Sequence, residues 1–99
     1  MFRTIVMFPA SADEQVVDDL VARTAAAFKE RSTFRGMTTN EGPLMGPSAK
    51  RAEYGRVFEA DFDELDDLLG ALGADDFREV VAATEALEPT LLLLELRDV

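Results

Sequence analysis

The chain has 99 residues, of which 20 are Asp or Glu and 10 are Lys or Arg, and it contains no Cys, His or Trp. This is the length of one domain, and the missing residue types exclude disulfides, thiol catalysis, a histidine base and a histidine-held haem. The formal net charge of −10 opposes binding to nucleic acid or to an anionic membrane. Since neither a bilayer-spanning segment nor a signal-peptide pattern is present, we expect one cytoplasmic domain over residues 1–99.

The first 50 residues predict a strand, a helix, a second strand and a loop. The apolar residues 2–8 are typical of a strand. Ser11 begins a capping-box pattern, and the apolar spacing behind it predicts a helix over residues 12–31. Residues 33–40 are β-branched and aromatic, which favours a strand. The Gly and Pro residues of segment 41–50 then indicate a loop.

The third predicted strand covers residues 53–62, where the side chains alternate as they do in a half-buried strand. With regular alternation, Tyr54, Arg56 and Phe58 share one face. Two short helices follow, one capped by Asp63 and one that starts near residue 75.

Pro89 stops the last helix, and residues 90–97 form the fourth predicted strand. The order β-α-β-β-α-β is that of a ferredoxin-like α+β fold. We therefore expect a four-stranded antiparallel sheet with helices on one face.

The first and last predicted strands are apolar on both faces, because residues 5–8 and 91–94 are consecutive apolar residues. One helical layer covers one face of a sheet. Leaving the other face exposed would cost about 1.5–3 kcal/mol for each aliphatic side chain. The sequence therefore predicts a homodimer that packs sheet to sheet. The alternative is a monomer with strand ends rich in Leu.

The middle of the chain is locally basic, with Arg35, Lys50, Arg51 and Arg56 against two acidic residues between positions 35 and 56. This pattern favours a site for an anionic or enolate-like ligand. The alternative is that acidic helices face solvent elsewhere and the middle merely lacks them.

Tyr54 and Arg56 are the candidate catalytic residues, because a tyrosine hydroxyl beside a guanidinium can hold an enolate or phenolate oxygen. Thr38 and Asn40 share a face of the second strand, and with Phe58 and Arg35 they complete the candidate substrate-binding set. The alternative for the catalytic pair is structural: the tyrosine caps the core and the arginine pairs with a helix acid. Thr38 and Asn40 would then be solvated.

Other motifs are rejected. Residues 42–50 lack the Gly-Lys-Ser/Thr end of a phosphate loop. The acidic residues 61–67 lack the glycine of a calcium loop and are better explained as helix caps, so no metal is expected. The serines have no His partner, which excludes a Ser-His-Asp triad.

The apolar start of residues 1–9, the capped first helix, residues 62–72 followed by residues 75–81, and the apolar last strand resemble the EthD-like family of the dimeric α/β-barrel superfamily. The resemblance covers nearly the whole chain. It implies a ferredoxin-like protomer that pairs sheet to sheet, with a small apolar cavity between sheet and helices.

The superfamily includes cofactor-free monooxygenases, polyketide cyclases, isomerases and haem enzymes. This sequence has no His, which removes the haem branch, so no cofactor is expected. The resemblance implies a homodimer that binds a small apolar or aromatic molecule, as a cofactor-independent oxygenase or isomerase. The alternative is a non-catalytic ligand carrier, or an auxiliary or structural dimer module.

Overall fold

The computed structural model describes residues 1–44 and 53–99. The strands are β1 (Phe2–Pro9), β2 (Phe34–Thr39), β3 (Tyr54–Phe62) and β4 (Thr90–Glu95), and the helices are α1 (Glu14–Lys29), α2 (Leu65–Leu72) and α3 (Arg78–Ala86). A turn of 3-10 helix, Asp75–Phe77, precedes α3. The predicted order of elements is confirmed. Lys50, Arg51 and most of the loop predicted over residues 41–50 lie outside the described residues.

The four strands form one sheet in the order β2-β3-β1-β4, and each neighbouring pair is antiparallel. The two central strands are β1 and β3, which are not consecutive in sequence, as in the ferredoxin-like arrangement. The predicted fold class is confirmed.

The side chains of the sheet divide between a helix face, which α1, α2 and α3 cover, and an open face. Alternation puts the buried residues Val6, Phe8, Phe58, Ala60 and Phe62 on the helix face. The open face carries Arg3, Ile5, Met7, Val57, Glu59, Asp61, Leu92 and Leu94. The core therefore lies between the sheet and the three helices.

The start of α1 differs from the prediction. Asp13, not Ser11, is the N-cap, and its carboxylate accepts hydrogen bonds from the backbone N–H groups of Gln15 (2.9 Å) and Val16 (3.1 Å). The helix consequently begins at Glu14 rather than at residue 12. The error arises because Ser11 and Asp13 lie two positions apart and both residue types can accept hydrogen bonds from the free N–H groups of a first helical turn.

The end of α3 follows the prediction that the residue before Pro89 leaves the helix. Glu88 adopts a left-handed backbone conformation with φ of 54°, which turns the chain into β4. No helix among residues 1–44 and 53–99 has the length and apolar character needed to cross a membrane.

Candidate functional site

The predicted catalytic pair is separated by a β-bulge. Phe8 lies opposite Arg56, and the next residue, Pro9, lies opposite Tyr54, so Gly55 is an extra residue in β3. A Cβ atom at Gly55 would approach the Cα of Ala10 to 3.3 Å, which explains why glycine occupies the bulge. The bulge reverses the alternation, and the expectation that the pair shares one face is wrong.

Tyr54 and Arg56 accordingly make different contacts. The Tyr54 hydroxyl lies 3.0 Å from the hydroxyl of Thr90, whose strand position opposite Met7 puts it on the open face. Arg56 lies on the helix face, where its Nη2 donates to Oδ1 of Asp18 on α1 at 2.5 Å. The structural alternative for Arg56, pairing with a helix acid, is thus what the structure shows.

Arg56 lines a cavity of about 310 Å³ between the end of β1, the start of α1 and the loop after β2. Glu14 also lines it, and Asp18 pairs with Arg56. Among the described residues at this cavity, two carboxylates therefore accompany one guanidinium.

The other predicted binding residues do not converge on Arg56. Thr38 is exposed on the open face, opposite Glu59. Asn40 connects the end of β2 to the following loop and to β3. Its amide nitrogen donates to the backbone oxygens of Gly42 (2.8 Å) and Gly55 (3.1 Å), and its side-chain oxygen accepts from the N–H of Val57 (2.8 Å). The nitrogen and the oxygen of its side-chain amide are thus both used within the fold.

Arg35 lies at the sheet edge, in an irregularity where Phe34 pairs with Phe62 and Gly36 with Asp61. Its guanidinium Nε lies 3.1 Å from Oδ1 of Asp63, and both side chains are about half exposed. Phe58, by contrast, is buried on the helix face. Among the described residues that line the larger cavity of the next paragraph, Phe58 is the one member of the predicted site.

A second, larger cavity of about 380 Å³ opens between the sheet, α2, α3 and β4, and we call it the leucine groove. Its apolar lining includes Phe58, Leu68, Leu72, Phe77, Val81 and Leu91. The groove forms because the helices cover β1 and β3 but stop short of β4. Leu91 and Leu93, the two leucines that β4 presents on the helix face, consequently remain 56% and 51% exposed.

The polar groups of the leucine groove are three threonines, Thr4, Thr24 and Thr84, and one carboxylate, Glu85. Thr24 lies on α1 and is 6% exposed, the one polar residue in the buried set of the described chain. Thr84 and Glu85 are neighbours on α3. The groove can therefore surround an apolar body and offer hydrogen bonds to a polar head.

One wall of the groove, α2, is anchored through Asp67. Its carboxylate accepts hydrogen bonds from Arg31 Nε (2.9 Å) and from the backbone N–H (2.8 Å) and hydroxyl (2.7 Å) of Thr33. The Thr33 hydroxyl and N–H, followed by Arg31, hold the pKa of the Asp67 carboxyl below its usual value. These contacts fix α2 to the turn between α1 and β2.

The open face carries a second charged contact. Arg3 donates from Nε and Nη2 to the two carboxylate oxygens of Asp61, at 2.8 and 3.0 Å, and lies 3.8 Å from Glu59. The hydrogen bonds from Arg3 lower the pKa of the Asp61 carboxyl. This bidentate pair lies beside the apolar side chains of the open face, including Leu94 opposite Arg3.

Solved structures with the same fold have been found. SnoaB, a cofactor-independent oxygenase from Streptomyces nogalater, is 21% identical with a TM-score of 0.74, over 99% of this chain and 94% of that one. An ethyl tert-butyl ether degradation (EthD) family protein from Bacillus halodurans is 19% identical with a TM-score of 0.68, over 98% and 99% of the two chains. A dimeric ferredoxin-like protein of unknown function from Thermobifida fusca is 13% identical with a TM-score of 0.69, over 96% and 90%.

The chain has the ferredoxin-like fold of these proteins. The fold that the EthD-like resemblance implies is confirmed, and the small cavity between sheet and helices is present as the leucine groove. No family model and no curated protein sequence matches the chain. Structures at this level of identity establish the ferredoxin-like fold alone, because one fold hosts many different functions.

The leucines of α2 and β4 were not predicted as residues of a binding groove. Leu69 and Leu72 are half exposed on α2, facing the equally exposed Leu91 and Leu93 on β4. A signal was present: a ferredoxin-like α2 of eight residues is too short to cover the whole width of a four-stranded sheet. Apolar residues at its ends and on the edge strand therefore exceed what the core can bury.

Proposed function

We propose that the protein binds a small apolar or aromatic molecule in the leucine groove. The observation that supports this proposal is a cavity of about 380 Å³ lined mostly by apolar side chains. Its volume lies within the range of about 300–1,000 Å³ that small-ligand sites occupy. Four leucines on its rim, Leu69, Leu72, Leu91 and Leu93, are 40–56% exposed. Covering them would contribute roughly 3–6 kcal/mol to binding before the costs of association.

We further propose a homodimer that packs through the open face. Its support is the apolar set on that face, which includes Ile5, Met7, Leu92 and Leu94, and the similarity in fold to a protein described as dimeric. The protomer is one sheet and one helical layer thick, with a shortest extent of 19 Å. A second sheet on the open face gives β1 and β4 the burial that their sequences require.

The second candidate function is catalytic: a cofactor-independent oxygenase or an isomerase. The fold shared with SnoaB favours it. Arg56 lies at the smaller cavity of about 310 Å³, where it can polarise a substrate oxygen. Tyr54 lies on the opposite face, where its hydroxyl contacts Thr90 of β4, and it has no role in this reaction.

Binding is tested with N-phenyl-1-naphthylamine, an uncharged probe whose fluorescence rises in apolar surroundings. We expect saturable binding to the wild-type protein. Leu72→Trp fills the groove and should weaken binding at least 10-fold. The matched control is Val16→Trp, because Val16 is a similarly exposed apolar helix residue, at 45%, outside the groove. Equal effects of the two variants, or no saturable binding, would refute the proposal.

Catalysis is tested by oxygen uptake with phenols and enols that can themselves supply the electrons. Arg56→Ala should lower turnover, whereas Arg78→Ala, which removes an exposed arginine paired with Asp75, should not. Unchanged turnover in Arg56→Ala would remove this residue from the mechanism. If no phenol or enol consumes oxygen although the probe binds, the oxygenase candidate fails and ligand binding alone stands.

A further inference from the structure

The charges around the leucine groove are one-sided. Glu85 is the single ionisable side chain among the described residues that line it, and it forms no ion pair within the described chain. The cations lie elsewhere and are largely neutralised. Six arginines of the described chain each pair with a carboxylate: Arg3, Arg23, Arg31, Arg35, Arg56 and Arg78.

This arrangement decides which polar head the groove can hold. An ionised carboxylate such as Glu85 accepts hydrogen bonds and donates none. Thr24 and Thr84 accept as well as donate, so the polar positions of the groove favour a donor. A negatively charged head would lose hydration, would meet no cation on the described lining, and would be repelled by Glu85.

We infer that the ligand of the leucine groove is an apolar or aromatic molecule whose head is a hydroxyl or a protonated amine, and that carboxylates are rejected. The inference rests on the proposed function, since it names the ligand class of the same site. Glu85 accepts the hydrogen bond of the head at the mouth of the groove. Thr24 lies in the buried part, where a second donor on the ligand would find it.

The test uses three naphthalene compounds that share one ring system and differ in the head. They are 1-naphthalenemethanol, 1-naphthylmethylamine and 1-naphthoate, each measured by its displacement of N-phenyl-1-naphthylamine from the intact protein. We expect the amine and the alcohol to compete at least 10-fold better than the carboxylate. Raising the salt concentration should reduce the advantage of the amine and leave the alcohol unchanged.

Glu85→Gln keeps the shape of the side chain and removes its charge. It should reduce the preference for the amine over the carboxylate roughly 2- to 5-fold, the range of a partly exposed charge pair. The control is Glu79→Gln, an exposed α3 residue outside the groove, which changes the net charge equally. This variant should leave the preference unchanged.

The outcomes separate this inference from the proposed function. If the probe does not bind, or if Leu72→Trp leaves its binding intact, the groove is not a ligand site and the proposed function fails. If the probe binds in the groove but naphthoate competes as well as the amine, the inference alone is overturned. Equal effects of Glu85→Gln and Glu79→Gln would attribute the preference to net charge and would also overturn it.

Discussion

The last strand offers two adjacent leucines with different expected roles. Leu93 lies opposite Thr4 on the helix face and lines the leucine groove, whereas Leu94 lies opposite Arg3 on the open face. They are 51% and 40% exposed in the isolated protomer. Replacing each by glutamine in turn changes polarity at nearly constant size, so Leu93→Gln should affect ligand binding and Leu94→Gln should affect dimerisation.

The magnitudes follow from the exposed fractions. Full burial of a leucine contributes about 1.5–3 kcal/mol, so covering the exposed 40% of Leu94 contributes about 0.6–1.2 kcal/mol. A symmetric dimer contains this contact twice, and Leu94→Gln should therefore weaken dimerisation roughly 7- to 50-fold. The same reasoning applied once to Leu93 predicts probe binding weakened roughly 4- to 12-fold.

Sedimentation at several protein concentrations gives the dimer dissociation constant, and titration with N-phenyl-1-naphthylamine gives the affinity of the groove. Each variant is the control for the other, because the two residues are neighbours on one edge strand. The reasoning is refuted if Leu94→Gln dimerises like the wild type, or if Leu93→Gln shifts dimerisation as strongly as Leu94→Gln does. A wild-type protein that sediments as a 10.9 kDa species at micromolar concentration would refute the dimer itself.

Three further predictions concern the framework of the site. Asp67→Asn should reduce the loss of stability in acid, measured by urea unfolding from pH 7 to pH 3. The depressed pKa of the Asp67 carboxyl stabilises the fold above about pH 4, the unfolded value, and that stability is lost as the pH falls through the folded pKa. Asp75→Asn, which removes a carboxylate from an exposed ion pair, is the control. Asp13→Ala should cost about 1 kcal/mol and lower Tm by roughly 4–8 °C, whereas Ser11→Ala should leave Tm unchanged, and the reverse result would restore Ser11 as the cap. Tyr54→Phe removes an open-face hydrogen bond and should weaken dimerisation without changing probe affinity; a loss of probe binding would contradict its placement.

The order of elements could be predicted because each rests on a local signal. Apolar spacing in residues 12–31, the proline after α3, and the consecutive leucines of β4 each indicate one type of structure whatever the rest of the chain does. The start of α1 was harder to predict because two local signals compete for it. Ser11 and Asp13 are both good N-caps, and the choice between them depends on how β1 delivers the chain to α1.

The candidate site was harder to predict because it depends on the register of the sheet. One extra residue at Gly55 moves Tyr54 to the face opposite Arg56, although both lie two positions apart in sequence. A glycine within an alternating strand is a known signal of a bulge. Gly36 repeats it, since the irregularity of β2 falls between Phe34 and Gly36. Counting regular alternation across Gly55 in β3, or across Arg35 beside Gly36 in β2, assigns the residues beyond it to the wrong face.

The apolar character of β4 has two explanations, a second copy of the chain on the open face and a ligand on the helix face. Consecutive leucines indicate that both faces of the strand require burial, and the proposed second copy would cover the open face at Leu92 and Leu94. It does not account for Leu91 and Leu93, which project to the helix side and are still 56% and 51% exposed there. Since α2 and α3 leave this edge uncovered, a ligand in the leucine groove is what would bury them. The proposed dimer and the proposed ligand site thus use opposite faces of one strand, which is why single substitutions in β4 should separate their effects.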